Sequence, residues 1–189
     1  MEIFPGVKIS DITSEIDSPF VSVGSGNGST EWKIRESIQH AFPVITIDPN
    51  PESYVKYPKD GKFIPPHYNY VKDLIASKPG LVNNCILFIC WPEYDSGAYD
   101  FDAIESLRPR KVISLYEQYG GAGSDSLHHF MKTYGVPNKF YSGLGPYEGT
   151  DYKVKKTIVK KNKHCFGVNT DVFVVLERTI LTTFQGLAS

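Results

Sequence analysis

The chain has 189 residues, 41% of them apolar and 22% charged, with a formal net charge of −1. Those values are ordinary for a globular domain that buries its own core, so neither metal nor disulfide staples are required. The near-neutral balance excludes a global electrostatic pull toward nucleic acid or membrane. Cys85, Cys90 and Cys165 are odd in number and lack metal-ligand spacing. Buried, reduced thiols in a cytoplasmic or nuclear protein are therefore expected. No window approaches 18 continuous apolar residues, and the N-terminus lacks a charged-then-apolar leader pattern, so neither membrane nor secretion is expected. One domain spanning 1–189 is the expected organisation.

Residues 1–19 carry weak apolar periodicity and predict a short helix over a sheet edge. Phe20–Val23 reads as a first strand. It runs into Gly24-Ser25-Gly26-Asn27-Gly28, and Ser29 or Thr30 is placed to cap a helix from about Glu31 to Ala41. Val44–Asp48 reads as a second strand, halted by Pro49-Asn50-Pro51. Glu52–Tyr68 is polar and proline-dotted, with at most a brief strand near Lys62–Ile64. A helix over Asn69–Ser77 stops at Pro79-Gly80.

Cys85–Cys90 is a continuous apolar run, as a central parallel strand requires. A helix over Tyr99–Leu107, a strand over Lys111–Tyr116, a glycine-rich loop at Glu117–Gly123 and a helix over Ser126–Tyr134 follow. Lys153–Lys163 and Asp171–Arg178 predict an antiparallel strand pair at the sheet edge. Alternating strands and helices imply an α/β fold, a doubly wound and mostly parallel sheet of Rossmann-like type.

In such a sheet ligands bind beyond the carboxyl ends of the strands. Glycines spaced G-x-G-x-G let backbone turn sharply and approach a ligand. Asp48 lies 20 residues past Gly28 at the tip of the next strand, where a carboxylate can hold both ribose hydroxyls of a nucleoside cofactor. A desolvated charge-assisted contact of that kind contributes roughly 1.5–3 kcal/mol. A dinucleotide fingerprint would place its third glycine one residue later, which disfavours an NAD(P)-dependent oxidoreductase. Ser25, Pro49 and Cys90 flank the same point.

The turn resembles motif I of class I S-adenosyl-L-methionine (SAM) methyltransferases. Further stretches extend the resemblance, over Phe20 to Tyr134, to a group of small methyltransferase-like proteins. They are Gly28-(x2)-Glu31, Ile47-Asp48-Pro49, Val71–Leu74, Cys85–Pro92, Tyr99–Ile104 and Tyr116–Gly123. The resemblance implies an antiparallel last strand, glycines 24, 26 and 28 along the methionine and ribose, Asp48 on the ribose hydroxyls, and Cys90–Trp91 beside the reacting methyl. Trp91-Pro92-Glu93-Tyr94 resembles loosely the Pro-Pro-aromatic loop that grips a target nitrogen in amino-methyltransferases. An indole offers a donor and no acceptor. Tyr94 keeps the aromatic position, and Glu93 or Asp95 would serve as acceptor or base.

The function expected is therefore SAM-dependent methyl transfer to an unassigned acceptor, an RNA or DNA base ahead of protein or small molecule. A catalytically idle SAM-fold module that scaffolds a partner or assembles with its own copies is the alternative. Lys153, Lys155, Lys156, Lys160, Lys161 and Lys163 could form a phosphate-contacting stripe; a lysine-protected sheet edge is the favoured reading. His128 and His129 read as packing or surface residues. No metal site is expected.

Overall fold

The computed structural model describes residues 2–4, 6–49, 58–92, 97–119, 122–139, 151–164 and 167–179. A six-stranded sheet takes in β3 (Phe20–Val23), β4 (Val44–Ile47), β5 (Ile86–Cys90), β6 (Lys111–Glu117), β7 (Tyr152–His164) and β8 (Gly167–Arg178). Their order is β4-β3-β5-β6-β8-β7. The first four strands are parallel; β8 runs antiparallel to β6, and β7 antiparallel to β8. Every residue of β3, β4 and β6 is buried, which explains why they lack the apolar–polar alternation of a strand with one solvated face.

Helices α3 (Val71–Ser77), α4 (Tyr99–Leu107) and α5 (Asp125–Thr133) cover one face, over Val21, Val23, Leu87, Ile89 and Val174. Helices α1 (Ile9–Thr13) and α2 (Ser29–Ser37) cover the other, with Ile12 and Ile34 packed on Phe20, Phe88, Ile113 and Phe173. The expected doubly wound α/β sheet with its antiparallel C-terminal pair is present. Asp100 joins two helices at the carboxyl edge: its buried carboxylate accepts the backbone N–H and hydroxyl of Ser124, which in turn caps α5 through Leu127 N–H.

Two local expectations are corrected, and the expected N-terminal helix gains a neighbour. The N-terminal segment holds a small antiparallel pair, β1 (Glu2–Phe4) with β2 (Val7–Lys8), before α1. Helix α2 begins at Ser29 and ends at Ser37, and its cap is Gly28 in a left-handed conformation with no side-chain bond, in place of Ser29 or Thr30. The third strand is a single parallel bridge, Ile47 to Tyr68, and not a pairing near Lys62–Ile64. Pro58, Pro65 and Pro66 have no N–H to contribute to a ladder. Here His67 and Tyr68 donate to Thr46 O, and Thr46 Oγ1 donates to Pro65 O.

The lysine-rich edge strand is tied to the N-terminal segment by charge. Lys155 bonds Glu15 at 2.6 Å, Lys156 bonds Asp11, and Lys153 pairs with Glu177 at 3.3 Å. Beneath them the buried Lys111 ammonium donates to Glu15 O at 2.8 Å and to Asp17 Oδ2 at 3.0 Å, with Glu15 Oε2 at 3.4 Å. The ion pairs favour the sheet-edge reading of these three lysines over a free phosphate stripe.

Removing a buried partner leaves charge uncompensated, whereas an exposed pair is screened. Lys111→Ala is expected to lower unfolding free energy by about 3 kcal/mol in urea, and Lys155→Ala by under about 1 kcal/mol. Equal losses would show that the buried contact does not anchor the N-terminal segment.

Candidate cofactor-binding site

β3 has β4 on one side and β5 on the other, so chain order reverses at β3 and a crevice opens at its carboxyl end. The glycine turn crosses that point. Gly24, Gly26 and Gly28 all have positive φ, +73°, +54° and +65°. Gly24 and Ser25 donate their N–H groups to Ile47 O, and Gly26 N–H donates to Asp48 Oδ2 at 2.7 Å. The turn is thus bolted to the end of β4, and the acid expected to hold ribose is fastened to the turn beside it.

The three glycines answer different needs. A Cβ on Gly26 would meet nothing within 4 Å, so this position faces open space where a ligand can approach backbone. A Cβ on Gly24 would lie 3.1 Å from the Tyr99 hydroxyl. At Gly28 it would lie 1.9 Å from Ile64 O, so that glycine admits the neighbouring backbone, whose Ile64 N–H bonds Gly28 O at 3.2 Å. Ser25 is buried, and its hydroxyl has no partner.

Beside the turn a cavity of about 270 Å³ is walled by Val23, Ile47 and Pro49 at the strand ends, by Asn69–Lys72 at the start of α3, and by Tyr99, Asp102, Glu105 and Ser106 of α4. Whole-ligand pockets typically measure ~300–1,000 Å³, so this one suits part of a cofactor, such as a nucleobase. An open glycine, an orphaned hydroxyl, an acid at the strand tip and an adjoining cleft together fit a nucleoside cofactor. Tyr99 and the α3 lining escaped the sequence reading because their place depends on helix packing, which periodicity does not encode.

A second acid lies below the turn. Glu31, 1% exposed, accepts Ser22 Oγ–H at 2.6 Å through Oε1, while Oε2 has no partner. Burial pushes its carboxyl up from an ordinary 4.5 to about 7, with the nearby Asp48 charge adding to the rise and the Ser22 bond opposing it. Its sequence signal was a polar Ser22 inside an apolar strand, opposite the first turn of a helix.

Cys90 ends β5, and burial, then the Glu31 charge, holds its thiol well above the usual range. It is a poor nucleophile. Trp91 follows at φ +55°, a strained backbone for an indole residue, with its N–H on Leu115 O at 2.9 Å. Trp91 and Cys90 pack together against the α1/α2 face. Gly123 N–H donates to Pro92 O at 2.8 Å, so the loops after β5 and β6 meet. Glu93, Tyr94 and Asp95 lie outside the described residues, as do Gly120 and Gly121. His128 is buried beside Tyr116, their rings 5.3 Å apart, and burial lowers its pKa to about 4, so it is a neutral packing residue. No group of three metal-ligating side chains occurs among the described residues.

Two expectations concern stability. Gly28→Ala must displace backbone and is expected to cost about 3 kcal/mol or more, against about 1–2 kcal/mol at the open, positive-φ Gly26. Urea denaturation of both variants checks this; similar losses would refute the close-approach role. Because the folded protein holds the Glu31 proton more tightly than the unfolded chain, its contribution is complete below pH 4.5. It is lost as pH rises through 7, about 3 kcal/mol in all. Glu31→Gln should flatten that slope relative to wild type, and parallel pH–stability curves would contradict the assignment.

No protein-family model matches this chain, and no curated protein does. Solved structures do. A SAM-dependent methyltransferase from Methanosarcina mazei is 10% identical, with 94% of this chain and 98% of that one covered and a TM-score of 0.46. An antibiotic-related methyltransferase is 14% identical over 88% and 91%, TM-score 0.42. A small RNA methyltransferase is 12% identical over 90% of this chain and 24% of its own, TM-score 0.43. At these scores the strand order, with its switch point at β3 and antiparallel β8, carries the assignment. The chain has a Rossmann-like, doubly wound α/β fold with an antiparallel C-terminal strand pair.

Proposed function

We propose that this chain binds S-adenosyl-L-methionine and transfers its methyl group to an acceptor, with a base in RNA or DNA placed first. The observation that carries the reading is the Gly26–Asp48 arrangement: an acid at the strand tip, locked to an open-faced glycine turn at the switch point. Gly24, Ser25, Gly26 and Asp48 would hold the nucleoside and its chain, Gly28 would shape the turn, and Pro49 would line the base cleft beside Tyr99. When bound, the cofactor supplies an electrophilic methyl group. The protein's part is placement, because proximity and orientation carry most of the acceleration in such transfers.

Trp91 and Cys90 would form the floor near the acceptor, with Glu93 and Tyr94 as the proposed acceptor-side residues. Neither the inert Cys90 thiol nor the indole supplies a base. A nucleic acid stays first among acceptors because Lys160 and Lys161 are exposed on β7, whereas Lys153, Lys155 and Lys156 pair with acids. No helix among the described residues is long and apolar enough to cross a membrane.

Calorimetric titration with SAM and S-adenosylhomocysteine tests the site. Micromolar binding is expected for wild type, weakened by roughly tenfold or more in Asp48→Ala through loss of a charge-assisted contact. Binding would justify a labelled-methyl screen across RNA, DNA and protein. A folded protein that binds neither ligand would give way to the idle scaffold module.

A further inference from the structure

A second cavity, of about 420 Å³, opens on the other flank of α4. It lies where β7 begins and β8 ends, beside the start of β6, so it occupies the amino edge of the sheet, away from the glycine turn. Its volume falls within the range of small-molecule sites, roughly 300–1,000 Å³. One wall is aromatic. Phe130 of α5 is its hub, with ring centroids 5.1 Å from Tyr134, 5.9 Å from Tyr152 and 5.9 Å from Phe101 of α4. Tyr134 and Tyr152 are buried, whereas Phe101 and Phe130 are half-buried and keep ring surface exposed.

The rim carries four charges: Glu105 and Arg108 at the end of α4, Asp151 before β7, and Arg178 at the end of β8. Among the described residues no ion pair joins either guanidinium to either carboxylate. Arg178 is held in place: its Nη1–H group donates to Asn83 Oδ1 at 2.7 Å and to Arg108 O. Both residues that it grips have left-handed backbone, Asn83 at φ +65° and Arg108 at +45°. Such strain away from glycine persists where the surroundings over-determine it.

An aromatic wall beneath two cations and two anions suits a guest that is apolar at one end and zwitterionic at the other. A plain carboxylate would meet Glu105 and Asp151, and a plain amine would meet the two guanidiniums. A group bearing both charges complements the whole rim. We propose that this cavity is a second ligand site, for an aromatic α-amino acid. Arg108 and Arg178 receive its carboxylate, Glu105 and Asp151 its ammonium, and its ring lies against Phe101 and Phe130. The planar fork of a guanidinium matches a carboxylate, and aromatic pairs add attraction beyond their buried area. The inference is independent of the cofactor reading, because none of these side chains belongs to the glycine turn.

The test titrates the isotope-labelled protein with four probes and follows backbone amide resonances. L-Phenylalanine carries all three groups; 3-phenylpropionate lacks the ammonium, phenethylamine the carboxylate, and L-alanine the ring. L-Phenylalanine is expected to shift the amides of Glu105–Arg108, Asp151, Tyr152 and Arg178 with submillimolar saturation, and to leave Gly24–Gly28 unmoved. Each truncated probe should bind roughly tenfold or more weakly. Asp151→Asn should weaken L-phenylalanine and leave 3-phenylpropionate within about twofold; Arg108→Gln should weaken both and spare phenethylamine. Should either variant fail to fold, the wild-type probe series still decides. A truncated probe that matches L-phenylalanine, shifts centred on the glycine turn, or cavity amides unmoved at millimolar ligand would overturn the proposal. None of those results bears on the SAM titration, which reads a different cavity.

Discussion

The hydrogen bond from Gly26 N–H to Asp48 Oδ2 joins the two pieces of chain on which the carboxyl edge of the sheet depends. It links the turn after β3 to the residue after β4, and the two Ile47 O contacts from Gly24 and Ser25 brace the same seam. Without it the Gly26 N–H would have to be satisfied by solvent. With it, the acid, the turn and the cleft at Pro49 keep one geometry before any ligand arrives. That preorganisation is what a placement catalyst requires, because the ordering cost is met during folding instead of at binding.

The carboxyl edge also concentrates charge in an unusual way. Asp48 and Glu31 are both buried at one turn, the first paired to backbone N–H, the second to a serine hydroxyl. On the opposite side of the sheet edge, Glu15 and Asp17 are neutralised by Lys111 and Lys155. The contrast separates two settings for buried acids: one is held by lysine ammonium groups, the other by backbone N–H and serine hydroxyl.

Much of this was legible in the residues. The central strand announced itself as the continuous apolar run Cys85–Cys90, and the spacing from Gly28 to Asp48 located the switch point. What was not legible has physical reasons. The Gly28 cap could not be told from a ligand-lining glycine, because the distinguishing atom, Ile64 O, arrives from 36 residues away. The third strand dissolved into one bridge because prolines forbid a ladder but not a close approach. Tyr99 entered the site through the packing of α4, and in the lysine run, read as a protected sheet edge, Lys155 and Lys156 found N-terminal acids that spacing does not reveal.

The strand order has a consequence for how the molecule assembles. β7 and β8 form a hairpin whose closest partners, His164 and Gly167, are neighbours in sequence. β3 must instead find β5, pairing Phe20 with Ile86, and β6 must find β8, pairing Lys111 with Glu177. Local pairs close cheaply, while distant ones carry the entropy of ordering everything between them. The glycine turn hangs from one of these distant pairings, so its crevice exists only once β3 has met β5. A chain arrested earlier would present apolar strand edges and no cofactor crevice, which makes ligand retention a natural gauge of completed folding.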